Sequence, residues 1–347
     1  MSGHITKVTI LDIARELNIT AATVSRALND HPGIRESTKK AVRETATRLN
    51  YKHNKIASSL RLGRSSIIGV IIPSAEINFF GSVVHGIEKV AAENNYTVLI
   101  YQSNELYEHE KKGVQTFLQS RVDGVLASIS KETINLDHYS EIRNRGIPLV
   151  LFDRTDPRLG VASVEVDDFA GAFQATSHLI DEGCRRIAHI AGQQHVNIFN
   201  LRLKGYVEAL NVNNIPLNDD LIVYGKVSIE SGRDSMNQLL SRGIVPDAVF
   251  AVEDFTALGA IQAIKAAGLG IPEDIAIIGF ANEAFGEYIT PSLSTVNQQT
   301  VAMGEEAARL LFEGLRGGAP FNAHPRRLVL KPQVICRGSS NLSNKRG

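Results

Sequence analysis

Cysteine is scarce in this sequence of 347 residues, and long hydrophobic runs are missing. The two cysteines, Cys184 and Cys336, are too far apart for a metal-ligand or redox spacing, which indicates two reduced thiols. No run reaches the ~18 consecutive apolar residues that a membrane-spanning helix needs. The first residues also lack the basic start and apolar core of a secretory signal peptide, so we expect a cytoplasmic protein without a membrane partner.

Motifs that are typical of enzymes and metal sites are missing as well. The sequence has no glycine-rich phosphate loop of the Walker or dinucleotide type, no GxSxG elbow and no Cys/His cluster. His189 and His195 have no partner at ligand spacing, which favours core or surface roles. We therefore predict no enzyme activity, no catalytic residue, no metal and no cofactor. An enzyme that acts on a nucleoside or sugar stays open as a rival, because doubly wound folds host many chemistries.

Length and composition indicate a folded protein with more than one domain. A chain of 347 residues is long enough for two or three domains, and 43% hydrophobic with 21% charged residues is ordinary for a globular protein. The net charge of zero hides an asymmetry. Residues 1–64 hold 12 Lys and Arg against 5 Asp and Glu, a net +7, whereas the rest carries −7. A basic head on an acidic body favours nucleic-acid binding by the head, and an unevenly charged solvated surface is the alternative.

Three short helices are predicted in the head. Residues 9–17 repeat apolar side chains at helical spacing, and Thr9 can cap the backbone amides at the helix start. Asn18 follows, and asparagine tolerates the left-handed backbone that a tight turn requires. A second helix starts at Thr20, and a third spans residues 37–50. Two short helices braced by a third are the helix-turn-helix arrangement.

The outward side of the second helix is predicted to face the major groove of DNA. Arg26 can read a guanine, because a guanidinium bonds to O6 and N7 together; a phosphate contact or a surface ion pair is the alternative. Two alanines at the helix start favour methyl contacts to thymine, and the hydroxyls are more typical of phosphate positioning. The candidate DNA-binding residues of the head are Thr20, Ala21, Ala22, Thr23, Ser25, Arg26, Asn29 and Tyr51, with Lys39, Lys40, Arg43 and Arg48 available to phosphates.

Short apolar runs alternate with helical stretches from residue 67 onwards, which is typical of parallel sheets with helices on both faces. One lobe is predicted from strands at 67–72, 97–101, 124–128 and 149–152. The other is predicted from strands at 164–166, 186–191, 221–225, 248–252 and 275–279. Residues 327–337 are expected to return across both lobes. Since open parallel sheets bind ligands beyond the carboxyl ends of their strands, we expect the loops there to line a cleft between the lobes.

Several sequence runs resemble the lactose-repressor (LacI/GalR) family. They are VTILDIARELNITAATVSRALN, the LNY at 49–51, NKIASSLRLGRSSIIGVIIP, VDDFAGAFQATSHLIDEGCRRIAHIAG and PDAVFAVEDFTALGAIQAIKAAGLGIPEDIAIIGF. The resemblance implies a small all-α helix-turn-helix head and an α/β body of two doubly wound lobes that resemble type I periplasmic binding proteins. The implied domains are residues 1–62 for the head, 63–340 for the effector-binding and dimerisation body, and 341–347 for a flexible tail.

The resemblance also implies a hinge helix at about residues 54–60 within the head domain. It adds Asn54, Ala57 and Leu60 to the DNA-binding residues. In the family a leucine of this helix wedges into the minor groove and kinks the operator, and Leu60 occupies the matching position. The chain departs from the family at Ser58, where arginine is frequent, which implies one basic contact fewer.

The effector site is implied by position in the body. The matching residues are Phe80, Asp153, Arg202 and Asp254, and the full candidate set is Phe79, Phe80, Asp153, Arg202, Glu253, Asp254 and Asn282. Each has a structural alternative, core packing for the two phenylalanines and an ion pair for Arg202 or Asp254. The family often has asparagine where this chain has Glu253 and aspartate where it has Ala281. Either the ligand differs from a common hexose, or Glu253 and Asn282 supply the missing acceptors.

The function implied is a ligand-responsive repressor that binds a palindromic operator as a homodimer. A small molecule, a sugar or sugar derivative, would bind in the cleft and change DNA affinity by preferring one closure state of the lobes. The alternative is a sugar-binding receptor without a DNA function. Effector identity, operator sequence and the choice between induction and corepression stay open. A dimer is the simpler expectation over a higher oligomer, because the C-terminal residues show no apolar heptads.

Overall fold

The computed structural model describes residues 8–51, 64–243, 245–317 and 325–342. The chain divides into two compact units, residues 1–65 and 66–347. The boundary expected from the sequence was three residues earlier, after residue 62. Asn54, Ala57, Ser58 and Leu60 of the expected hinge helix lie outside the described residues, and so do residues 343–347 of the expected tail.

The first unit contains the three predicted helices. Their bounds are α1 (Ile10–Glu16), α2 (Ala21–Leu28) and α3 (Glu36–Arg48). Ile13, Val24, Ala27 and Val42 are completely buried where the three helices meet. This small core fixes which side of α2 faces outward.

Local hydrogen bonds define the ends of the first two helices. The Asp12 carboxylate accepts hydrogen bonds from the backbone N–H of Thr9 at 2.9 Å and from its hydroxyl at 2.8 Å. Asn18 has a φ of 51°, which confirms the left-handed turn that the sequence predicted. The hydroxyl of Thr20 then accepts the backbone N–H of Thr23 at 3.1 Å and caps α2.

The second unit is built on parallel sheets with helices on both faces. Its helices are α4 (Asn78–Glu93), α5 (Tyr107–Ser120), α6 (Asp137–Asn144), α7 (Asp168–Asp181), α8 (Asn197–Val212), α9 (Ile229–Ser241), α10 (Asp254–Ala266) and α11 (Thr300–Gly317). Its strands are β1 (Ile67–Ile72), β2 (Thr97–Gln102), β3 (Gly124–Ala127), β4 (Leu149–Phe152), β5 (Ala162–Val166), β6 (Ile187–Ala191), β7 (Ile222–Tyr224), β8 (Ala248–Ala251), β9 (Ala276–Ile278), β10 (Thr295–Asn297), β11 (Arg327–Leu330) and β12 (Gln333–Ile335).

The first lobe has one sheet with the order β11-β5-β4-β3-β1-β2, and all neighbouring strands are parallel. Apolar clusters cover both faces of this sheet. The second lobe has the parallel order β7-β6-β8-β9, also covered on both faces. The predicted strands at 67–72 and 149–152 are confirmed residue for residue.

One strand belongs to the other lobe than predicted. Residues 164–166 were assigned to the second lobe, but they are part of β5, which pairs with β4 in the first. The connection from Phe152 to Ala162 contains only a short 3-10 turn at Pro157–Leu159, so no helix separates the two strands. A buried apolar run has the same pattern in either sheet, and only this short connection distinguishes them.

The C-terminal part of the chain contributes to both lobes, as the sequence predicted. Helix α11 packs on the first lobe through Ala307, Ala308 and Leu311, and β11 extends that lobe's sheet. Strand β12 pairs with β10 in a small antiparallel sheet whose Val296 is buried in the second lobe's core.

Helices α4 and α11 approach each other closely because glycines face the contact. A Cβ on Gly86 would lie 2.2 Å from the carbonyl oxygen of Val301, and one on Gly304 would lie 2.0 Å from that of Val83. By contrast, a Cβ on Gly81, on the same helix as Gly86, would meet nothing within 4 Å. The backbone contact therefore depends on the missing side chains at Gly86 and Gly304.

Among the residues that the structure describes, every helix is too short or too polar to span a lipid bilayer. The described part of the chain also has no group of three or more His, Cys, Asp or Glu side chains placed to hold a metal ion.

Candidate functional site

The outward face of α2 exposes four of the predicted DNA-binding residues. Thr20, Ala22, Arg26 and Asn29 are exposed. The other predicted residues of the head that the structure describes are half-buried: Ala21, Thr23, Ser25 and Tyr51. Ala21 and Tyr51 pack against the helical core, so their side chains are less available to DNA than the sequence indicated.

Arg26 is exposed on α2, and its guanidinium makes no hydrogen bond or ion pair with a described residue. Asn29 donates its amide N–H to the carbonyl of Ser25 at 2.7 Å, which leaves its amide oxygen as an acceptor. The hydroxyls of Thr20 and Thr23 lie 2.9 Å apart and are occupied with each other and with the helix cap. Arg26 therefore has the long side chain on this face that is least constrained by its neighbours.

Most cations of α3 are ion-paired within the head. The Lys39 ammonium lies 3.0 Å from a carboxylate oxygen of Asp30 and 2.7 Å from one of Glu36. Arg43 also pairs with Asp30, at 2.9 Å, and Arg48 pairs with Glu16. Lys40 is exposed and makes no ion pair with a described residue. Of the four cations predicted to contact phosphates, Lys40 is thus the one that no internal partner holds.

The second unit contains a cavity of about 580 Å³ between its two lobes. Both lobes line it, mainly with loops that follow the carboxyl ends of their strands. Among the lining residues of the first lobe are Phe79, Phe80, Glu105, Lys131, Asp153 and Arg154, and among those of the second are Arg202, Glu230, Glu253 and Glu283, with Gln298 after β10. The position of the cavity agrees with the expectation from the parallel sheets.

Phe79 and Phe80 belong both to the cavity wall and to the core. They begin α4 and are buried, and their rings form an edge-to-face pair with centroids 5.0 Å apart. The guanidinium of Arg154 lies over the Phe80 ring, 5.7 Å from its centroid. Core packing is therefore confirmed for both phenylalanines, and ligand contact stays a prediction for residues that line the cavity.

Arg202 is held rigidly in the second lobe and is only 2% exposed. Its Nε and Nη2 lie 2.8 and 2.7 Å from the same carboxylate oxygen of Asp168, and its Nη1 donates to the carbonyl of Val252 at 2.8 Å. The guanidinium stacks on the Phe280 ring, 3.7 Å from the centroid. A guanidinium has five N–H groups, so these contacts leave two of them for a ligand in the cavity.

Asp168 was not predicted from the sequence, although it is the group that orients Arg202. It is 2% exposed at the start of α7, and burial raises the pKa of its carboxyl to about 7 while Arg202 opposes the rise. Nothing in its local sequence distinguishes this residue from an ordinary acidic residue in the first turn of a helix.

A cluster of charges lines the first-lobe side of the cavity. The Glu105 carboxylate lies 2.7 Å from Nη1 of Arg154 and 3.4 Å from Nζ of Lys131. Burial alone would raise the pKa of Glu105, but the two cations hold it below its ordinary value. Glu105 and Lys131 were missed, although both closely follow the ends of strands, and the rule that selected Asp153 would have found them.

Asp153 follows β4 with a left-handed backbone, at a φ of 61°. It is 6% exposed, and its carboxylate accepts the Ser128 hydroxyl at 3.3 Å. Burial raises the pKa of this carboxyl, whereas Arg154 and Arg202 oppose the rise. An aspartate in this conformation turns the chain sharply at the cavity wall.

Glu253 lies at the N-terminal end of α10, where one of its carboxyl oxygens accepts the backbone N–H of Phe255 at 3.2 Å. Its side chain lines the cavity. Burial raises the pKa of the Glu253 carboxyl to about 8, with Asp254 adding to the rise and Lys131 opposing it. The group is therefore largely protonated at neutral pH.

Asp254 and Asn282 are not among the residues that line the cavity, although the sequence predicted them as effector-binding residues. The Asp254 carboxylate is completely buried and accepts the Thr295 hydroxyl and the backbone N–H of Glu283, both at 2.7 Å. The amide oxygen of Asn282 accepts a hydrogen bond from Arg337 at 2.9 Å. These polar groups are used to build the second lobe, and neighbouring Glu253 and Glu283 line the cavity instead.

Two hydrogen bonds join the lobes beside the cavity. The Glu283 carboxylate accepts the backbone N–H of Phe79 at 3.2 Å, at the start of α4, and burial raises the pKa of this carboxyl. On the other side, Nε2 of His195 lies 2.8 Å from the carbonyl oxygen of Lys131. Each bond links residues of different lobes, so each depends on how far the lobes are closed.

Comparison with known proteins identifies the family. Residues 9–54 match the description of bacterial regulatory proteins of the lacI family, and residues 176–340 match a periplasmic binding protein-like domain. Catabolite control protein A of Priestia megaterium is 33% identical over 305 residues, which cover 88% of this chain and 91% of the relative. The chain belongs to the LacI family of bacterial regulatory proteins.

Two solved structures of transcription regulators are similar to this LacI-family chain over nearly its whole length. The lac repressor dimer bound to operator and the anti-inducer ONPF superposes with a TM-score of 0.85 at 25% identity, over 96% of this chain and 99% of that one. The transcriptional regulator CelR in complex with cellobiose gives 0.73 at 29% identity, over the same shares of both chains. The resemblance stated from the sequence is confirmed, as are the helix-turn-helix head and the two-lobed body.

Proposed function

We propose that this LacI-family regulator represses transcription by binding a near-palindromic operator as a homodimer, and that a carbohydrate in the interlobe cavity sets its operator affinity. The observation that supports this proposal is the cavity itself, which both lobes line. Arg202 lies in its wall, and two N–H groups of its guanidinium have no partner among the contacts described above. The lac repressor and CelR structures were solved with a ligand and with cellobiose, respectively.

The head supplies the DNA-binding surface in this proposal. A twofold dimer presents two copies of α2 to two half-sites, which requires a site of matching symmetry. Arg26 reads a guanine, Ala22 contacts thymine methyl groups, and Lys40 contacts a phosphate. Because the proposed target is operator DNA, we propose that the protein acts in the cytoplasm.

In this proposal the interlobe cavity is the site that binds the carbohydrate effector. Aromatic edges and faces beside carboxyl and guanidinium groups suit a polyol ring, which offers apolar C–H surface and many hydroxyls. Binding of this kind is reversible and changes no covalent bond, so the proposal assigns no catalytic role to any residue.

A ligand can change operator affinity only by preferring one closure state of the lobes. The bonds from Glu283 to Phe79 and from His195 to Lys131 exist only when the lobes approach each other, so a ligand that bridges the lobes favours the state that contains them. The resulting coupling free energy is typically about 1–3 kcal/mol.

The test begins with selection of bound sequences from random duplex DNA by the full-length protein. The selected DNA is then titrated with a panel of sugars, sugar phosphates and nucleosides. We expect a short palindrome whose affinity one carbohydrate changes. If no sequence is enriched, with or without ligands, the head does not recognise a specific DNA sequence. That result would favour a sugar-binding receptor without a DNA function.

The cavity assignment is tested with a matched pair of substitutions. Removing Arg202 alone leaves Asp168 buried and unpaired, which costs about 3–5 kcal/mol of stability. The double variant Arg202→Met, Asp168→Asn avoids this penalty and still removes the guanidinium. We expect it to bind operator normally and to lose the effector response, measured by operator titration at saturating effector. Arg309→Met, on the exposed side of α11, is the control. An intact response in the double variant would place the effector elsewhere.

A further inference from the structure

The charges that line the cavity are unbalanced. Six carboxyl groups line it, from Glu76, Glu105, Asp153, Glu230, Glu253 and Glu283. Three cations face them, from Lys131, Arg154 and Arg202. A site built for a phosphate or carboxylate ligand is expected to show the opposite imbalance, since an anion buried without cations is costly.

The cations of the cavity are also neutralised inside the protein. Arg202 pairs with Asp168, whose carboxylate lies behind it and away from the lining residues. Arg154 and Lys131 share the carboxylate of Glu105. Little positive charge therefore remains for an anionic ligand, whereas the carboxyls of Glu253 and Glu283 have no cation paired with them within 4 Å among the described residues.

Polar atoms of two cavity-lining residues lack a hydrogen-bond partner among the described residues. Gln298, which follows β10 between the lobes, is only 3% exposed, lines the cavity, and its Oε1 has no hydrogen-bond partner among the described residues. The Glu253 carboxyl accepts the backbone N–H of Phe255 through Oε2, so its Oε1 carries the proton of the neutral form, and Oε1 makes no hydrogen bond with a described residue. A buried acceptor without a donor, such as Oε1 of Gln298, is unfavourable, and a ligand that donates to it would remove this cost.

The surroundings of Glu253 raise the pKa of its carboxyl, chiefly through burial. Asp254 and Glu283 face it and raise its pKa, and Lys131 and Arg202 face it and lower its pKa, but burial prevails. A cation delivered by a ligand would reverse this balance and favour the carboxylate form.

We propose that the effector is a carbohydrate that bears a protonated amine, and that Glu253 selects for the ammonium group while Gln298 accepts one of the ligand's N–H or O–H donors. This inference rests on the proposed function, since it takes the cavity as the effector site. When such a ligand binds, the neutral Glu253 carboxyl releases its proton to solvent, and the resulting carboxylate pairs with the ammonium group.

The inference is tested by calorimetric titration of the full-length protein with glucosamine, galactosamine and mannosamine, each compared with its parent hexose and its N-acetyl derivative. The three forms share a ring but differ in charge. We expect one of the amines to bind at least about tenfold more tightly than its parent and its N-acetyl form, as a charge-assisted hydrogen bond is worth this factor or more. Titrations at pH 7 in buffers of different ionisation enthalpy should show proton release on amine binding.

Two variants assign the preference to Glu253. Glu253→Gln keeps the shape and removes the charge, so the amine and its parent should bind equally. Glu208→Gln removes a carboxyl of α8 that does not line the cavity, and it should leave the preference intact. If Glu253→Gln fails to fold, the number of protons that the wild type releases on binding still tests the inference. A neutral ligand bound beside a protonated Glu253 releases no proton, whereas an ammonium ligand does.

The outcomes separate this inference from the proposed function. Equal binding of an amine and its parent hexose, or tighter binding of the hexose, would overturn the amine preference and leave the effector cavity standing. Binding of no carbohydrate of any kind would overturn the proposed function, and this inference with it.

Discussion

At the scale of single residues, the ion pairs of the head determine which cations are available to DNA. Lys39, Arg43 and Arg48 are held by acidic neighbours, whereas Arg26 and Lys40 have no ion-pair partner among the described residues. Arg26 and Lys40 lie on different helices, so their contributions to operator binding can be measured separately.

Arg26→Ala should relax specificity at one base-pair position of each half-site and cost about 1–3 kcal/mol there, because a bidentate contact to guanine is lost. Lys40→Ala should instead weaken binding to all sequences alike and reduce the slope of log affinity against log salt by about one. Selection and salt titration of both variants would check this. A uniform loss with Arg26→Ala would show that its guanidinium contacts a phosphate.

The buried carboxyls predict a specific pH dependence of stability. The folded pKa of Asp168 is about 7 and that of Glu253 about 8, both above their unfolded values, so the folded protein holds protons that the unfolded chain has released. The free energy of unfolding of the body should therefore fall as the pH rises from 6.5 to 8.5. The pKa of His189 is lowered to about 4 by burial, so this side chain is neutral in the folded protein, and the unfolded chain protonates it only at the acidic end of this window, where it slightly opposes the slope.

Denaturant unfolding at pH 6.5, 7.5 and 8.5 would measure this slope. Glu253→Gln should flatten it, since the amide has no proton to lose, and Glu208→Gln should not change it. A slope of zero, or one of the opposite sign, in the wild type would mean that these carboxyls are already ionised in the folded protein over this range.

Position along a strand predicted which residues line the cavity, whereas their contacts with an effector stay predictions. Phe80, Asp153, Arg202 and Glu253 line the cavity as expected. Asp254 does not, because adjacent residues at the start of a helix point in different directions, and the partners that occupy its carboxylate, Thr295 and the backbone N–H of Glu283, are remote in sequence.

At the scale of helices and strands, apolar runs identified the strands, but they did not assign β5 to its sheet. The structural reason is the short connection after β4, which contains no crossover helix. The close contact between α4 and α11 could not be predicted from the sequence either, because it depends on backbone atoms of residues far apart in sequence, such as Gly86 and Val301.

Two alanine substitutions on α4 should have opposite effects. Gly86→Ala places a Cβ against the carbonyl oxygen of Val301, so it should separate α4 from α11 and destabilise the first lobe by more than about 1 kcal/mol. Gly81→Ala meets no atom and should stabilise the helix by about 0.5–1 kcal/mol through reduced backbone entropy of the unfolded chain. Thermal unfolding of the two variants beside the wild type would test this. Equal effects would contradict the close contact.

At the scale of the whole molecule, the hydrogen bonds between the two lobes beside the cavity couple lobe closure to effector binding in the proposed function. His195→Ala removes the hydrogen bond to the Lys131 carbonyl without removing a lining residue of the main cavity. A hydrogen bond contributes about 0.5–1.5 kcal/mol, so effector affinity should fall about 2- to 10-fold if closure and binding are coupled. His109→Ala, on the exposed side of α5, is the control. Unchanged affinity in His195→Ala would show that closure does not depend on this contact.

The contribution of the C-terminal segment to both lobes also determines the order in which the protein can fold during its synthesis. Domains usually fold from the N-terminus onwards as they leave the ribosome. Here β1 to β5 emerge first, but α11 and β11, which cover and extend their sheet, emerge more than 130 residues later. The nascent first lobe therefore exposes an uncovered apolar surface while the second lobe is being synthesised, and we expect it to need protection from aggregation until α11 and β11 have emerged.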